Sequence, residues 1–144
     1  MLLFTVRILA LDIGERRIGT ALSDPGGRIA QGLKILVASG SRAGDVSAIG
    51  ELIHQFDVSL VVVGLPKNLD GSIGPKAQGV AALAEAIREA TGIPVELWDE
   101  RFSTAEAHRV LDMASVKRKK RKETIDIMAA QIILQGYLDA QGRQ

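Results

Sequence analysis

The chain has no cysteine and few aromatic residues: three Phe, one Tyr and one Trp among 144 residues. The first absence excludes disulfide scaffolds, zinc ribbons and thiol chemistry, and it fits a reducing compartment. The second leaves the core to Ala, Val, Leu and Ile. Long apolar runs are missing too, since no stretch approaches the roughly 18 residues that a membrane span requires. Met1–Val6 is apolar, but Arg7 and Asp12 follow, so the run is too short and wrongly flanked for a secretory signal. A soluble cytoplasmic protein with no membrane partner is expected. There is no internal repeat and no linker, so residues 1–144 read as a single domain. Hydrophobic residues make up 47% and charged residues 24%, which excludes a disordered chain. The length is enough to bury a core without disulfides or metals.

What is present is a sharp charge asymmetry. Lys and Arg number 18 against 17 Asp and Glu, for a net charge of +1. Six of the bases, Lys117, Arg118, Lys119, Lys120, Arg121 and Lys122, form one unbroken run. Without them the chain has 12 bases against 17 acids and is net −5.

The pattern of apolar residues predicts a β-meander followed by strand–helix alternation. Arg7–Asp12 reads as a buried strand ending at Gly14. A turn at Gly14–Arg17 leads to an antiparallel strand over Ile18–Leu22. Pro25-Gly26-Gly27 turns into a third strand over Ile29–Val37. After a small-residue loop at Ser39–Gly44, a helix is expected to start at Asp45. Ser59–Gly64 is a β-branched run typical of a strand covered on both faces. A loop over Leu65–Pro75, a helix over Lys76–Ala90 and a strand over Pro94–Trp98 follow. Ser103-Thr104-Ala105-Glu106 matches a capping box and predicts another helix. The basic run should interrupt the pattern over Ser115–Glu123. Thr124–Ala140 is then a last helix, apolar almost all round and deeply packed. This order implies an α/β fold: a mixed five-stranded sheet with helices on both faces, and functional groups at the carboxyl ends of the parallel strands.

His54 and His108 fall inside predicted helices and are poor candidates for a catalytic base. The carboxylates say more. Asp12 ends an apolar strand, where a charge is costly unless paired; the simpler reading is an Asx turn. Asp99 and Glu100 end a later strand, and alternation allows only one of them to share a face with Asp12. Asp126 sits where the last helix should begin, in the position favoured by the helix dipole, yet among apolar neighbours Ile125, Ile127 and Met128. Together these acids can converge on one edge of the sheet. Clustered carboxylates repel unless a cation neutralises them, and an oxygen-only set favours Mg²⁺ or Mn²⁺. Two such ions serve phosphodiester cleavage.

Four motifs in order carry a family resemblance over nearly the whole chain. They are Leu11-Asp12-Ile13-Gly14 with Ile18-Gly19; Val63-Gly64-Leu65-Pro66 with Asn68-Leu69-Asp70-Gly71-Ser72; Asp99-Glu100-Arg101-Phe102-Ser103-Thr104; and Ile125-Asp126 with Ala129-Ala130 and Ile133-Leu134-Gln135. They resemble the YqgF family, whose members are described as Holliday-junction-resolvase-like proteins (RuvX) or pre-16S rRNA nucleases. Phe102 departs from the commoner Leu. The resemblance implies an RNase H-like fold and divalent-metal nuclease chemistry. It puts Asp12, Asp99, Glu100 and Asp126 in the acidic site as catalytic residues and metal ligands.

The loop Gly64-Leu65-Pro66-Lys67-Asn68, with Gly71 and Gly74, can bring backbone N–H groups to a phosphate, with Lys67 and Asn68 as donors. Arg101 either holds a scissile phosphate or pairs with Asp99. The basic run, Lys117 to Lys122, suits backbone phosphates and lacks the interleaved aromatics that would read bases. The expected function is a metal-dependent endonuclease acting on structured nucleic acid, pre-rRNA first and branched DNA second, with a homodimer as the candidate assembly. A non-catalytic nucleic-acid-binding factor is the rival. Asp12-x-Gly14-x4-Gly19 also resembles the first phosphate loop of actin-like and sugar kinases, but those need two such domains.

Overall fold

Strand β1 (Ile8–Ile13) is buried along most of its length, and the other strands are arranged around it. The computed structural model describes residues 6–99 and 118–142. Strands β2 (Arg17–Ser23) and β3 (Ala30–Val37) continue from β1 as an antiparallel meander. Helix α1 (Arg42–Gln55) leads to β4 (Leu60–Leu65), which pairs parallel with β1. Helix α2 (Pro75–Thr91) then leads to β5 (Val95–Asp99), parallel with β4. Helix α3 (Arg118–Gly142) is the last element. The five strands lie in the order β3-β2-β1-β4-β5, the mixed sheet that the apolar pattern predicts.

Alternation along the central strands divides the interior into two layers. Leu9, Leu11, Val61 and Val63 pack with Ile49, Leu52 and Ile53 of α1 and with Val80, Leu83 and Ile87 of α2. Ala10 and Val62 point the other way and pack with Ala130, Ile133, Leu134 and Tyr137 of α3. Val61, Val62 and Val63 are all buried, so the β-branched run of β4 is indeed covered on both faces.

Two helix boundaries differ from expectation. Helix α1 begins at Arg42, because Ser41 is its N-cap and its side chain accepts the Gly44 N–H. Asp45 is therefore inside the first turn. Its carboxylate reaches back to the N–H and hydroxyl of Ser39, so a residue that reads as a helix start instead braces the loop before it. Helix α3 is already formed at Arg118, the first described residue of this segment, so residues 118–122 of the basic run are helical and do not break the pattern. Lys and Arg are good helix formers and lose little rotamer freedom in a helix. Burial of α3 is also one-sided. Ala129, Ala130, Ile133, Leu134, Tyr137 and Leu138 are buried, whereas Ile125, Ile127, Met128 and Ile132 are half-buried. The helix expected from Ser103–Glu106, and His108 with it, lies outside the described residues.

Helix α3 is also tied to the sheet by polar side chains. The Gln135 side chain accepts the Ala30 N–H and donates to the Arg28 carbonyl, and Gln131 donates to the Ala30 carbonyl. These bonds, about 1 kcal/mol each, cover backbone groups at the start of edge strand β3. Within the meander, the register shifts between Gly19 and Ala21. Thr20 fills the gap, its hydroxyl taking the Lys34 N–H and donating to the Lys34 carbonyl.

The single Tyr and single Trp of the chain meet between α3 and β5. Tyr137 and Trp98 pack edge to face with centroids 5.5 Å apart. Burial, then the hydrogen bond to Glu96 and the Glu96 charge, push the Tyr137 phenol up to about 12. A phenol whose folded pKa is raised contributes stability in full below its unfolded value, and loses it as pH rises through the folded value. The stability loss attached to Tyr137 should therefore fall between pH 10 and pH 12, on the order of 2 kcal/mol. Near-ultraviolet titration of this single tyrosine should show tyrosinate forming later in the folded chain than in denaturant. Coincident curves would contradict its burial against Glu96.

Candidate active site

The carboxyl ends of β1, β4 and β5 lie at one edge of the sheet, and Asp12 stands there on β1. Asp12 follows Ala10 on the face covered by α3 and pairs across the strands with Gly19 of β2. At Gly19 the backbone of α3 comes very close to the sheet. A Cβ at Gly19 would lie 2.0 Å from the Asp126 carbonyl oxygen. On the neighbouring strand β3, a Cβ at Gly32 would lie 2.4 Å from Ile127 Cγ2. Only glycine lets the helix backbone settle this deeply at Gly19, because any side chain there would collide with main-chain atoms that cannot rotate away. The result is that Asp12 and Asp126, distant in sequence, both lie against Gly19 on the α3 face of the sheet.

The revised start of α3 changes the reading of Asp126. It lies about two turns inside the helix, beyond the first turn where the macrodipole favours an acid. Its partner is instead Arg17, the first residue of β2: Arg17 Nε donates to Asp126 Oδ2 at 2.9 Å. Nothing local in the sequence marks Arg17, which sits in a hairpin beside Glu15 and Arg16. The pair joins residues 109 positions apart, and only the fold brings them together. Asp12 also has an interaction of its own.

The adjacent acids of β5 part company. Gly64 pairs with Trp98 and Leu65 with Asp99. Trp98 packs into the α3 layer and Val95 into the α1–α2 layer. By alternation Asp99 leaves the sheet on the α1–α2 side, away from Asp12, and it is exposed. Glu100, Arg101 and Lys117 lie outside the described residues. For Arg118, Lys119, Lys120, Arg121 and Lys122 the structure gives the helical backbone.

The loop after β4 is closed on itself. The Asn68 N–H donates to the Ser72 carbonyl, and the Asn68 side-chain amide donates to Ser72 Oγ at 2.9 Å. The Ser72 N–H and hydroxyl both donate to Asp70 Oδ1. Gly71 takes φ +87° in this turn, a left-handed conformation that glycine adopts without strain. Asn68 thus spends its side-chain amide on shaping the loop, while Lys67 sits just ahead of it, at the carboxyl end of β4.

Among the described residues, no group of three or more His, Cys, Asp or Glu side chains forms a metal cage. Asp12 and Asp126, which share the α3 face, offer hard carboxylate oxygens, the kind that Mg²⁺ and Mn²⁺ prefer.

A family model described as RuvX, Holliday junction resolvase, matches residues 6–140. The chain belongs to the RuvX family. A relative from Pelotomaculum thermopropionicum, named "Putative pre-16S rRNA nuclease", is 48% identical over 138 residues, covering 96% of this chain and 90% of that one. One of the same name from Syntrophomonas wolfei is 51% identical over 134 residues, covering 93% and 94%. The fold matches RuvC from Thermus thermophilus, solved in complex with a Holliday junction substrate, with a TM-score of 0.57 at 16% identity, over 95% of this chain and 96% of that one. The RuvX chain therefore has the RuvC-like, RNase H-like architecture, with Asp12 on its first strand and Asp126 on its last helix.

The seat of α3 on β2 gives this RuvX chain a sensitive position. Gly19→Ala should cost about 1–3 kcal/mol, the usual range for forced overpacking, because the clash is with the Asp126 backbone. Urea unfolding of the variant measures it. Stability equal to that of the wild type would show that α3 is not held against Gly19.

Proposed function

We propose that this chain is a divalent-metal-dependent endonuclease that hydrolyses phosphodiester bonds in structured nucleic acid, with the 5′ end of pre-16S rRNA as its substrate in the cytoplasm. The observation that carries the reading is the meeting of Asp12 and Asp126 on one face, at the carboxyl ends of the parallel strands. Two carboxylates placed together there gain little for stability and repel one another. Asp12, Asp126 and Glu100 are our assignment for the residues that hold Mg²⁺ or Mn²⁺. Of the adjacent pair, Glu100 is chosen because Asp99 leaves β5 on the other face. When bound, a pair of such ions supplies the activation of water and the stabilisation of the departing 3′ oxygen. Lys67 and Arg101 are assigned to the phosphates flanking the cleaved bond, and the basic run to the nucleic-acid backbone beyond it.

Branched DNA is the second reading, favoured by the description of the family model as a Holliday junction resolvase. Cleavage assays on a pre-rRNA fragment and on a four-way junction, each with Mn²⁺ or with EDTA, separate the two. Salt-sensitive binding with no metal-dependent cleavage of either substrate would leave a binding factor instead. In the productive assay Asp12→Asn should abolish cleavage while leaving the fold intact, since it removes an anionic ligand and relieves repulsion. Full activity in the folded variant would remove Asp12 from the reaction.

Binding should depend on phosphates. With Z phosphates neutralised, log affinity should fall with log salt at a slope of about −0.9Z on duplex DNA or about −0.7Z on single strands. Replacing Lys119, Lys120 and Arg121 by Gln in the Asp12→Asn background should flatten that slope and weaken all sequences alike. An unchanged slope would move the nucleic-acid surface away from the start of α3, with the loop at Lys67–Gly74 as the next candidate.

A further inference from the structure

We propose that Arg17 is a positioning residue: its guanidinium fixes the Asp126 carboxylate beside Asp12, so that a divalent cation meets donors already aimed. The proposal rests on the metal-dependent nuclease reading and extends it to a residue outside the acidic set.

The scaffold behind Arg17 is firm. The Gly14 N–H donates to the Arg17 carbonyl at 2.9 Å and closes the β1–β2 turn. A Cβ at Gly14 would lie 2.6 Å from that same oxygen, so the turn depends on glycine. On its other side Arg17 pairs with Val37 of β3. Its Cα is thus held by two neighbouring strands, and its side chain crosses to α3 on the face shared by Gly19 and Asp12. Arg17 Nε then holds Asp126 Oδ2 at 2.9 Å.

As a brace for the helix this pair is weak. The two side chains are 36% and 27% exposed, and pairs in that range contribute about 1 kcal/mol or less. Helix α3 is already seated by Gly19 and Gly32 and by its buried apolar row. What the ion pair adds is orientation. It restricts the Asp126 carboxylate to one setting, and it places a positive charge against that carboxylate on the face that also carries Asp12. The planar guanidinium offers donors in a fixed geometry, which a rotating ammonium does not reproduce.

The test uses the full chain with Arg17→Gln and Arg17→Lys, titrated with Mn²⁺ and followed by melting temperature and by the spin resonance of free Mn²⁺. In the wild type, Mn²⁺ should raise the melting temperature, because the ion binds only the folded state. The Gln variant should bind Mn²⁺ roughly 10- to 100-fold more weakly, the usual effect of losing a residue that orients a metal ligand. The Lys variant should recover the stability of the ion-free chain but not the affinity. A folded Gln variant with wild-type affinity would reduce Arg17 to a brace and overturn the proposal. If the Gln variant does not fold, the Lys variant decides: weakened Mn²⁺ binding supports the proposal, and wild-type binding overturns it. Absence of any Mn²⁺ response in the wild type would overturn the metal reading itself, a result distinct from one confined to the variants.

Discussion

The close seat of α3 on the meander is the constraint on which the rest depends. At Gly19 the helix approaches so nearly that no side chain fits between its backbone and the strand. That contact sets the depth of α3, and the buried row Ala130, Ile133, Leu134 and Tyr137 follows along the same face. It also sets the position of Asp126. Displacing the helix outward by a methyl group would separate Asp126 from Asp12 and from Arg17 at once. Stability and the geometry of the candidate site are therefore carried by one contact, and a glycine can be as necessary to the site as a carboxylate.

The sheet order explains why the site lies where it does. β1 is the hinge between the antiparallel half and the parallel half of the sheet. Asp12 thus has an antiparallel neighbour on one side, which supplies Gly19 and Arg17. On the other side lies a parallel strand, which ends in the loop bearing Lys67. Among the described residues, no other strand has both. A carboxylate at the end of β4 would meet parallel neighbours alone, with neither Gly19 nor Arg17 beside it.

Most of the fold was legible because it is written in local periodicity. The β-branched run of β4, the Ala-rich face of α2 and the Gly-Pro turns each declare themselves within a few residues. Asp12 and Asp126 were legible as charges in apolar company. Three features were not. The start of α1 was hidden because Asp45 looks like a cap, when Ser41 is the cap and Asp45 reaches back to Ser39. The start of α3 was hidden because its first turns carry charge in place of an apolar stripe. Arg17 was hidden because its partner is 109 residues away, and a long-range ion pair leaves no mark on the sequence around either member. The face on which Asp99 leaves β5 was not legible either, because strand parity needs a register, and the pairing of Gly64 with Trp98 supplies it.

The placement of the basic run carries a last consequence. Five residues of the run, Arg118 to Lys122, belong to the same helix as Asp126. At a rise of about 1.5 Å per residue, they lie roughly 6–12 Å along the axis from Asp126. The helix that carries an acid to the sheet edge thus carries a band of positive charge at a fixed interval from it. Because the interval is set by a continuous helix, it does not depend on the conformation of any loop.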